Sequence, residues 1–280
     1  MRGEVRFSED LRQLAAEASE LAVCLCGQCQ NFHLLWPYLR LAGASGGDVR
    51  SPLVHSMLHH LLSKTSARIL IAGSADSGLL AVVARAASSD AEIVVVDRCE
   101  TPLEICRRFA ARWSLSIETL HLDLMELSLQ SGFDVVFAHS LLQFIPADHR
   151  VDVLARMRRS LRPDGRLVIV FRTSARIEGN LLPEYRESYP KHLIGQLDAM
   201  NVVLPEPRDN FTRRVEAYAE ERRVREGAHA TRAEVAHLIE TAGFEIENLT
   251  QIEAEQSAPF QQLTAKIAKE RFVAIARSRS

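Results

Sequence analysis

The residues best suited to chemistry stand at the ends of short apolar runs. ILIA (69–72) strikes Gly73-Ser74-Ala75-Asp76-Ser77-Gly78 and re-emerges as an amphipathic stretch. A strand, glycine turn and helix in that order gather several backbone N–H groups at one spot, and Gly73 permits both the turn and close approach of a ligand. A pyrophosphate favours a full G-x-G-x-x-G loop. Here Ala75 replaces the second glycine, and Asp76 adds a charge that opposes a pyrophosphate but suits a positively charged, phosphate-free ligand. The alternative is a structural turn that binds nothing. Asp97 ends the next run, IVVVD, where a carboxylate can accept both hydroxyls of a ribose; alternatively it caps the helix that opens near Thr101-Pro102. Asp123, in TLHLDLMEL, can take an adenine amino group while Leu122 or Leu124 packs on the ring, or can be an ordinary N-cap. His139 closes FDVVFAH and could serve as a general base, as an orienting group, or simply as a satisfied structural imidazole.

A second group of reactive side chains lies near the N-terminus: Cys24, Cys26 and Cys29, with His33 four residues on. In one continuous helix Cys26, Cys29 and His33 share a face and Cys24 points elsewhere. Closed zinc sites draw ligands from turns or from two separated pairs. No second C-x-x-C pair exists, so the expectation is no metal and a helix that uses cysteine as a small hydrophobe. His55 and His59 are spaced for a metal too, but no carboxylate lies nearby, and a solvated or packed face is expected of them and of His60.

The elements that must position these residues follow from periodicity. Short β-branched runs at 67–72, 92–97, 116–122, 133–139 and 165–171 alternate with amphipathic helical stretches, and the central runs are apolar on both faces, as in a buried parallel sheet. Ahead of them, residues 8–62 read as helices: one capped by Ser8 or Asp10, a second broken at Pro37, a third opened by Pro52. After Phe171 the alternation stops for roughly sixty residues in which basic and acidic residues balance. It resumes with a helix from Thr231 to Gly243 and two runs, 244–254 and 271–278, that could pair antiparallel.

In order and spacing these features resemble the class I S-adenosylmethionine-dependent methyltransferases. ILIAGSADSG resembles that family's glycine loop, VVVD its ribose-binding acid, LDL its adenine-side acid, and FDVVFAHSLLQFIP followed by LRPDGRLVIVF its fourth strand, long helix and turn into strand five. Ala75, and Asp164-Gly165 in place of Gly-Gly, depart from the pattern. The resemblance covers roughly 67–171 and 231–277. It implies an α/β fold: a doubly wound, seven-stranded, mostly parallel sheet with the last strand reversed, an N-terminal helical segment and a helical insert after strand five. The organisation expected is a lid segment at 1–66 and a Rossmann-like domain at 67–280, with 172–230 as a substrate cap. It implies S-adenosyl-L-methionine as cofactor, held by Gly73, Ser74, Ala75, Gly78, Asp97, Arg98, Asp123, Leu124 and His139. His139 is the candidate catalytic base, and His33, Trp36, Tyr38, Gln143, Arg172 and Tyr185 are candidate acceptor contacts. Tyr189, Phe211 and Tyr218 could complete an apolar wall.

Composition narrows the function. A formal charge of −2 gives no whole-molecule pull toward nucleic acid or anionic membrane, and no apolar run suits a membrane span. The charged N-terminal stretch is unlike a signal peptide, and the cysteine spacing is unlike a disulfide framework, so a cytoplasmic protein is expected. The reading is methyl transfer to a small-molecule O, N or C nucleophile, with a homodimer through the apolar N-terminal helices as the assembly. The alternatives are a non-catalytic binding or regulatory module and, on a weaker footing, a nicotinamide-dependent oxidoreductase.

Overall fold

The computed structural model describes residues 10–27, 29–45, 51–63, 66–129, 132–174, 182–226, 231–253 and 269–279. In chain order the elements are α1 (Leu11–Leu25), α2 (Gln30–Leu41), α3 (Pro52–Leu62), β1 (Arg68–Ala72), α4 (Gly78–Ala86), β2 (Glu92–Asp97), α5 (Glu100–Trp113), β3 (Ile117–His121), β4 (Phe133–His139), α6 (Arg150–Ser160), β5 (Leu161–Ser174), α7 (Leu182–Ala199), α8 (Arg208–Glu226), α9 (Arg232–Thr241), β6 (Phe244–Ile252) and β7 (Lys269–Ser278). The strands form one seven-stranded sheet in the order β3-β2-β1-β4-β5-β7-β6. β1 pairs in parallel with both β2 and β4, whereas β7 runs antiparallel between β5 and β6. This is the expected doubly wound sheet with its last strand reversed.

The alternation of side chains in β1 shows why the sheet is buried on both sides. Ile69 and Ile71 face a core shared with α3, α4 and α5, while Leu70 and Ala72 face one shared with α6 and α9. Strand order reverses beside β1, between β2 and β4, which opens a crevice at the carboxyl ends of these strands. Local signals at the helix ends hold as read: Asp10 caps α1, Pro52 opens α3, and Thr231 forms a capping box with Glu234. Within β5, where its register against β4 shifts, a Cβ on Gly165 would stand 2.7 Å from the Phe133 carbonyl oxygen, so this position admits no side chain.

Two expectations fail in the N-terminal segment. Pro37 does not break its helix; α2 runs through it. The hydrogen bond lost at Pro37 is offset by burial of Leu34, Leu35, Tyr38 and Leu39 against α7 and α8. The cysteine region is not one continuous helix either, since α1 ends at Leu25 and α2 begins at Gln30.

The N-terminal helices and the insert are not separate layers. Leu35 and Leu39 of α2 share a third core with Leu193 and Leu197 of α7 and with Phe211, Val215 and Tyr218 of α8. Leu14, Ala18 and Leu21 of α1 pack instead on Ile105 of α5, tying this helical cap back to the sheet. Much of the apolar surface of the N-terminal helices is thus used within the chain, while Val23, Leu25 and Leu53 stay exposed. Among the described residues no helix is long and apolar enough to cross a membrane.

Candidate functional site

A cavity of about 410 Å³ lies above the carboxyl ends of β1, β2 and β4 and beneath the helical cap. That volume suits a ligand of nucleoside size.

Its floor is the glycine loop. Gly73 has φ +77°, and a Cβ there would lie 2.9 Å from Leu141 Cδ1, so only glycine lets the loop turn this tightly beside the cavity. Asp76 does not present a bare charge to the cavity, as its place in the loop suggested. Its Oδ2 accepts from Arg40 Nη1 at 2.6 Å and its Oδ1 from the Gly78 amide at 2.7 Å, with both side chains of the ion pair buried. The N-terminus of α4 is therefore capped by the chain's own carboxylate. A pyrophosphate would have to compete with that anion for the same amides.

Asp97 stands at the tip of β2, with Oδ2 accepting from the Ser74 amide at 2.9 Å and Oδ1 from the Cys99 amide at 2.8 Å. These bonds fix the carboxylate in orientation, and its remaining lone pairs leave capacity for two hydroxyl donors. Burial raises its pKa, against the lowering effect of the two amides. Asp123 does act as a cap: its Oδ1 accepts from the Met125 amide at 2.9 Å, starting the short 3₁₀ turn Leu124–Glu126. Its position nonetheless lines the cavity beside Leu124, so capping and ligand contact are compatible readings. His139, at the end of β4, also lines the cavity. Ser140 follows it with φ +50°, and its Oγ is buried with no hydrogen-bond partner among the described residues.

All nine residues assigned to the cofactor from sequence line this one cavity. Among the candidate acceptor residues, His33, Trp36, Gln143 and Arg172 line it as well. Tyr38 does not. It lies two residues beyond Trp36 on α2, on the opposite face, where it is 2% exposed, packs edge-on against Phe211 and stands 3.2 Å from Ser19 Oγ. The Tyr185 side chain lies outside the described residues. Of the further wall candidates, Tyr218 lines the cavity, whereas Tyr189 and Phe211 are buried in the cap's own core. His55 and His59 stack on each other along α3, with 6.3 Å between centroids, away from the cavity.

Sequence reasoning missed several lining residues. Phe32 is at the centre of an aromatic group: its ring lies 5.3 Å from Trp36, 5.4 Å from Phe144 and 6.4 Å from Tyr218. The i, i+4 spacing of Phe32 and Trp36 was the available signal. Arg40, Phe144 and Glu221 also line the cavity and carry no local signature. Cys99 is the other omission. It joins Cys26, Cys29 and His33, bringing their four ligand atoms within 4.8 Å of one another. Hydrogen bonds from the Cys26 and Cys29 thiols lower the Cys99 pKa. Burial works against a charge on His33, but hydrogen bonds to Cys29 and Cys99 outweigh it and raise its pKa to about 9. No cysteine of the chain is disulfide-bonded.

The site fits S-adenosylmethionine on its own terms. A backbone cradle that a Cβ would fill, a fixed carboxylate at the second strand tip and a buried hydroxyl in search of a partner are the donor and acceptor set of a phosphate-free nucleoside. Comparison with known proteins agrees. Residues 69–165 match the family described as a methyltransferase domain. Among solved structures, the chain is similar to the [4+2]-cyclase SpnF (TM-score 0.59, 14% identity, 89% of this chain and 94% of that one). It is similar to the 1,6-didemethyltoxoflavin-N1-methyltransferase of Burkholderia thailandensis, solved with 1,6-didemethyltoxoflavin and S-adenosylhomocysteine (0.55, 17%, 98% and 92%). A third similar structure is a methyltransferase-like protein of Bacillus halodurans (0.54, 14%, 81% and 99%). At these identities the likeness is one of fold, and the fold alone does not dictate the reaction, since one of the three is a cyclase. No curated protein matches the chain.

Proposed function

We propose that the chain, whose residues 69–165 match a methyltransferase domain, uses S-adenosylmethionine to methylate an O, N or C nucleophile on a small, flat, ring-bearing molecule. One observation carries the reading. A single cavity has nucleoside-holding groups on its sheet side and an aromatic wall of Phe32, Trp36, Phe144 and Tyr218 on its cap side.

On this reading Asp97 holds the ribose hydroxyls, and Asp123 with Leu124 holds the adenine. The loop at Gly73–Ala75, with Gly78, Arg98 and His139, completes the cofactor contacts. When bound, the cofactor supplies a methyl carbon already activated by its sulfonium. The chain's task is to align the acceptor and exclude water, which explains why no triad is required. The aromatic wall stacks an acceptor ring, and Gln143 and Arg172 set its orientation through polar contacts. Where the acceptor is an O–H or N–H group, His139 takes the proton released as the lone pair attacks. The Burkholderia enzyme, with 1,6-didemethyltoxoflavin bound, gives the small-molecule class precedent on this fold. Nucleic acid is not the acceptor we favour, given the balanced charge. Five cysteines without a disulfide support a reducing compartment, and the cytoplasm is the one we favour.

Calorimetry of the full chain with S-adenosylmethionine and S-adenosylhomocysteine tests the cofactor half. Release of S-adenosylhomocysteine over a panel of phenols and N-heteroaromatics tests the acceptor half. Binding of both ligands, and turnover on at least one ring class, is expected. Absence of binding overturns the reading, and binding with turnover only on non-aromatic acceptors overturns its acceptor half.

A further inference from the structure

Three helix ends meet at the border between cap and sheet, and each brings a soft ligand. Cys26 follows the last turn of α1, Cys29 precedes α2, His33 lies one turn into α2, and Cys99 precedes α5. The break in the helix at 26–29 turns Cys26 and Cys29 inward together, and the chain topology supplies Cys99 from more than seventy residues away. Cys26 Sγ lies 3.3 Å from His33 Nδ1 and 3.5 Å from Cys99 Sγ.

Both separations are close to one edge of a coordination tetrahedron, and all four ligand atoms lie within 4.8 Å of one another. Bonds of about 2.3 Å to sulfur and about 2.0 Å to nitrogen place neighbouring ligand atoms roughly 3.4–3.8 Å apart. In an iron–sulfur cluster the four protein ligands are divided among two or more irons, which spreads them farther apart than the 4.8 Å that spans this group. Three thiolates and one imidazole form a donor set suited to zinc. Outside the four, the Thr101 hydroxyl lies 3.0 Å from Cys26 Sγ and is fully buried, placed to donate to a metal-bound thiolate.

We propose that Cys26, Cys29, His33 and Cys99 hold one tetrahedral zinc ion, a closed structural site that fastens the helical cap to the sheet beside the cofactor cavity. With all four positions filled by protein, the ion has no place for substrate and takes no part in the reaction. Its reach is positional. The Cys99 amide donates to Asp97 Oδ1 at 2.8 Å, so holding Cys99 also holds the acid read as the ribose ligand. His33 moreover lies in the same stretch of α2 as Phe32 and Trp36 of the aromatic wall.

The test is metal content of the full chain purified without chelators under reducing conditions. About one zinc ion per chain, retained through gel filtration, is expected. Cys24→Ser, which alters an exposed cysteine outside the group, should keep all of it. Cys29→Ser and Cys99→Ser should keep less than about a tenth of it through the same purification. Should those variants fail to fold, the wild-type chain exchanged with Co²⁺ still decides. It should show the intense visible bands of a tetrahedral thiolate site, and in the zinc form iodoacetamide should label Cys24 but not Cys26 or Cys29. A folded chain without zinc that takes up neither Zn²⁺ nor Co²⁺, a Cys99→Ser protein with full zinc, or iron with inorganic sulfide in place of zinc would each overturn the assignment. Metal content is read without cofactor, and Asp97→Asn should weaken S-adenosylhomocysteine binding while keeping zinc, so failure of this site and failure of the cofactor reading are told apart.

Discussion

The sheet side and the cap side of the cavity are built differently. On the sheet side the key lining residues sit at or just past strand tips: Gly73 after β1, Asp97 ending β2, Asp123 after β3, His139 ending β4. Their positions follow from the strands' register, and backbone amides fix the Asp97 carboxylate. On the cap side the lining residues come from α2, the 142–146 turn, β5 and α8, and no single element determines where any of them stands. The contrast teaches that the sheet side, proposed to hold the nucleoside, is a property of local chain geometry. The acceptor half depends on how helices distant in sequence pack together.

The largest effect should come from the contact that joins the two sides. Arg40 belongs to the cap and Asp76 to the glycine loop, and the pair is buried. Arg40→Ala leaves an uncompensated buried carboxylate and should cost about 3–5 kcal/mol of stability, visible in a urea melt. Asp76→Asn on that background should recover part of the loss. If Arg40→Ala melts like the wild type, cap and loop are not coupled as described.

Next is Asp97→Asn, which should weaken S-adenosylhomocysteine binding roughly ten- to a hundred-fold in equilibrium dialysis, because it removes a charged acceptor worth about 1.5–3 kcal/mol. Trp36→Ala should separate the two halves. It should leave cofactor affinity within about two-fold while raising the acceptor KM about ten-fold, the worth of one aromatic contact. An equal loss of both would mean the wall belongs to the cofactor. The smallest effect is expected from Tyr38→Phe, which removes only the hydroxyl contact with Ser19: about 1 kcal/mol of stability or less, with turnover unchanged.

The same division explains what could be read in advance. Strand tips and the N-cap at Thr231 follow from patterns only a few residues long and were legible, and the reversed last strand was legible through the family resemblance. Tyr38 was misplaced because an aromatic cluster in sequence says nothing of helix phase, and the two-residue step from Trp36 turns it to the far face. Pro37 misled because tertiary burial outweighed a local helix-breaking preference. Cys99 was invisible as a partner of the N-terminal cysteines, since only the fold brings it to them. Likewise no local rule marks Arg40 as the counter-ion of Asp76.

The central claim is that an adenosine lies across these strand tips, with its sulfur directed toward the aromatic wall. A crystal structure of the chain with S-adenosylhomocysteine tests it most directly. The ribose hydroxyls should lie within hydrogen-bonding distance of the Asp97 carboxylate, with the sulfur facing the space bounded by Trp36 and Tyr218. A ligand bound elsewhere, or in this cavity with its ribose turned away from Asp97, would contradict the account.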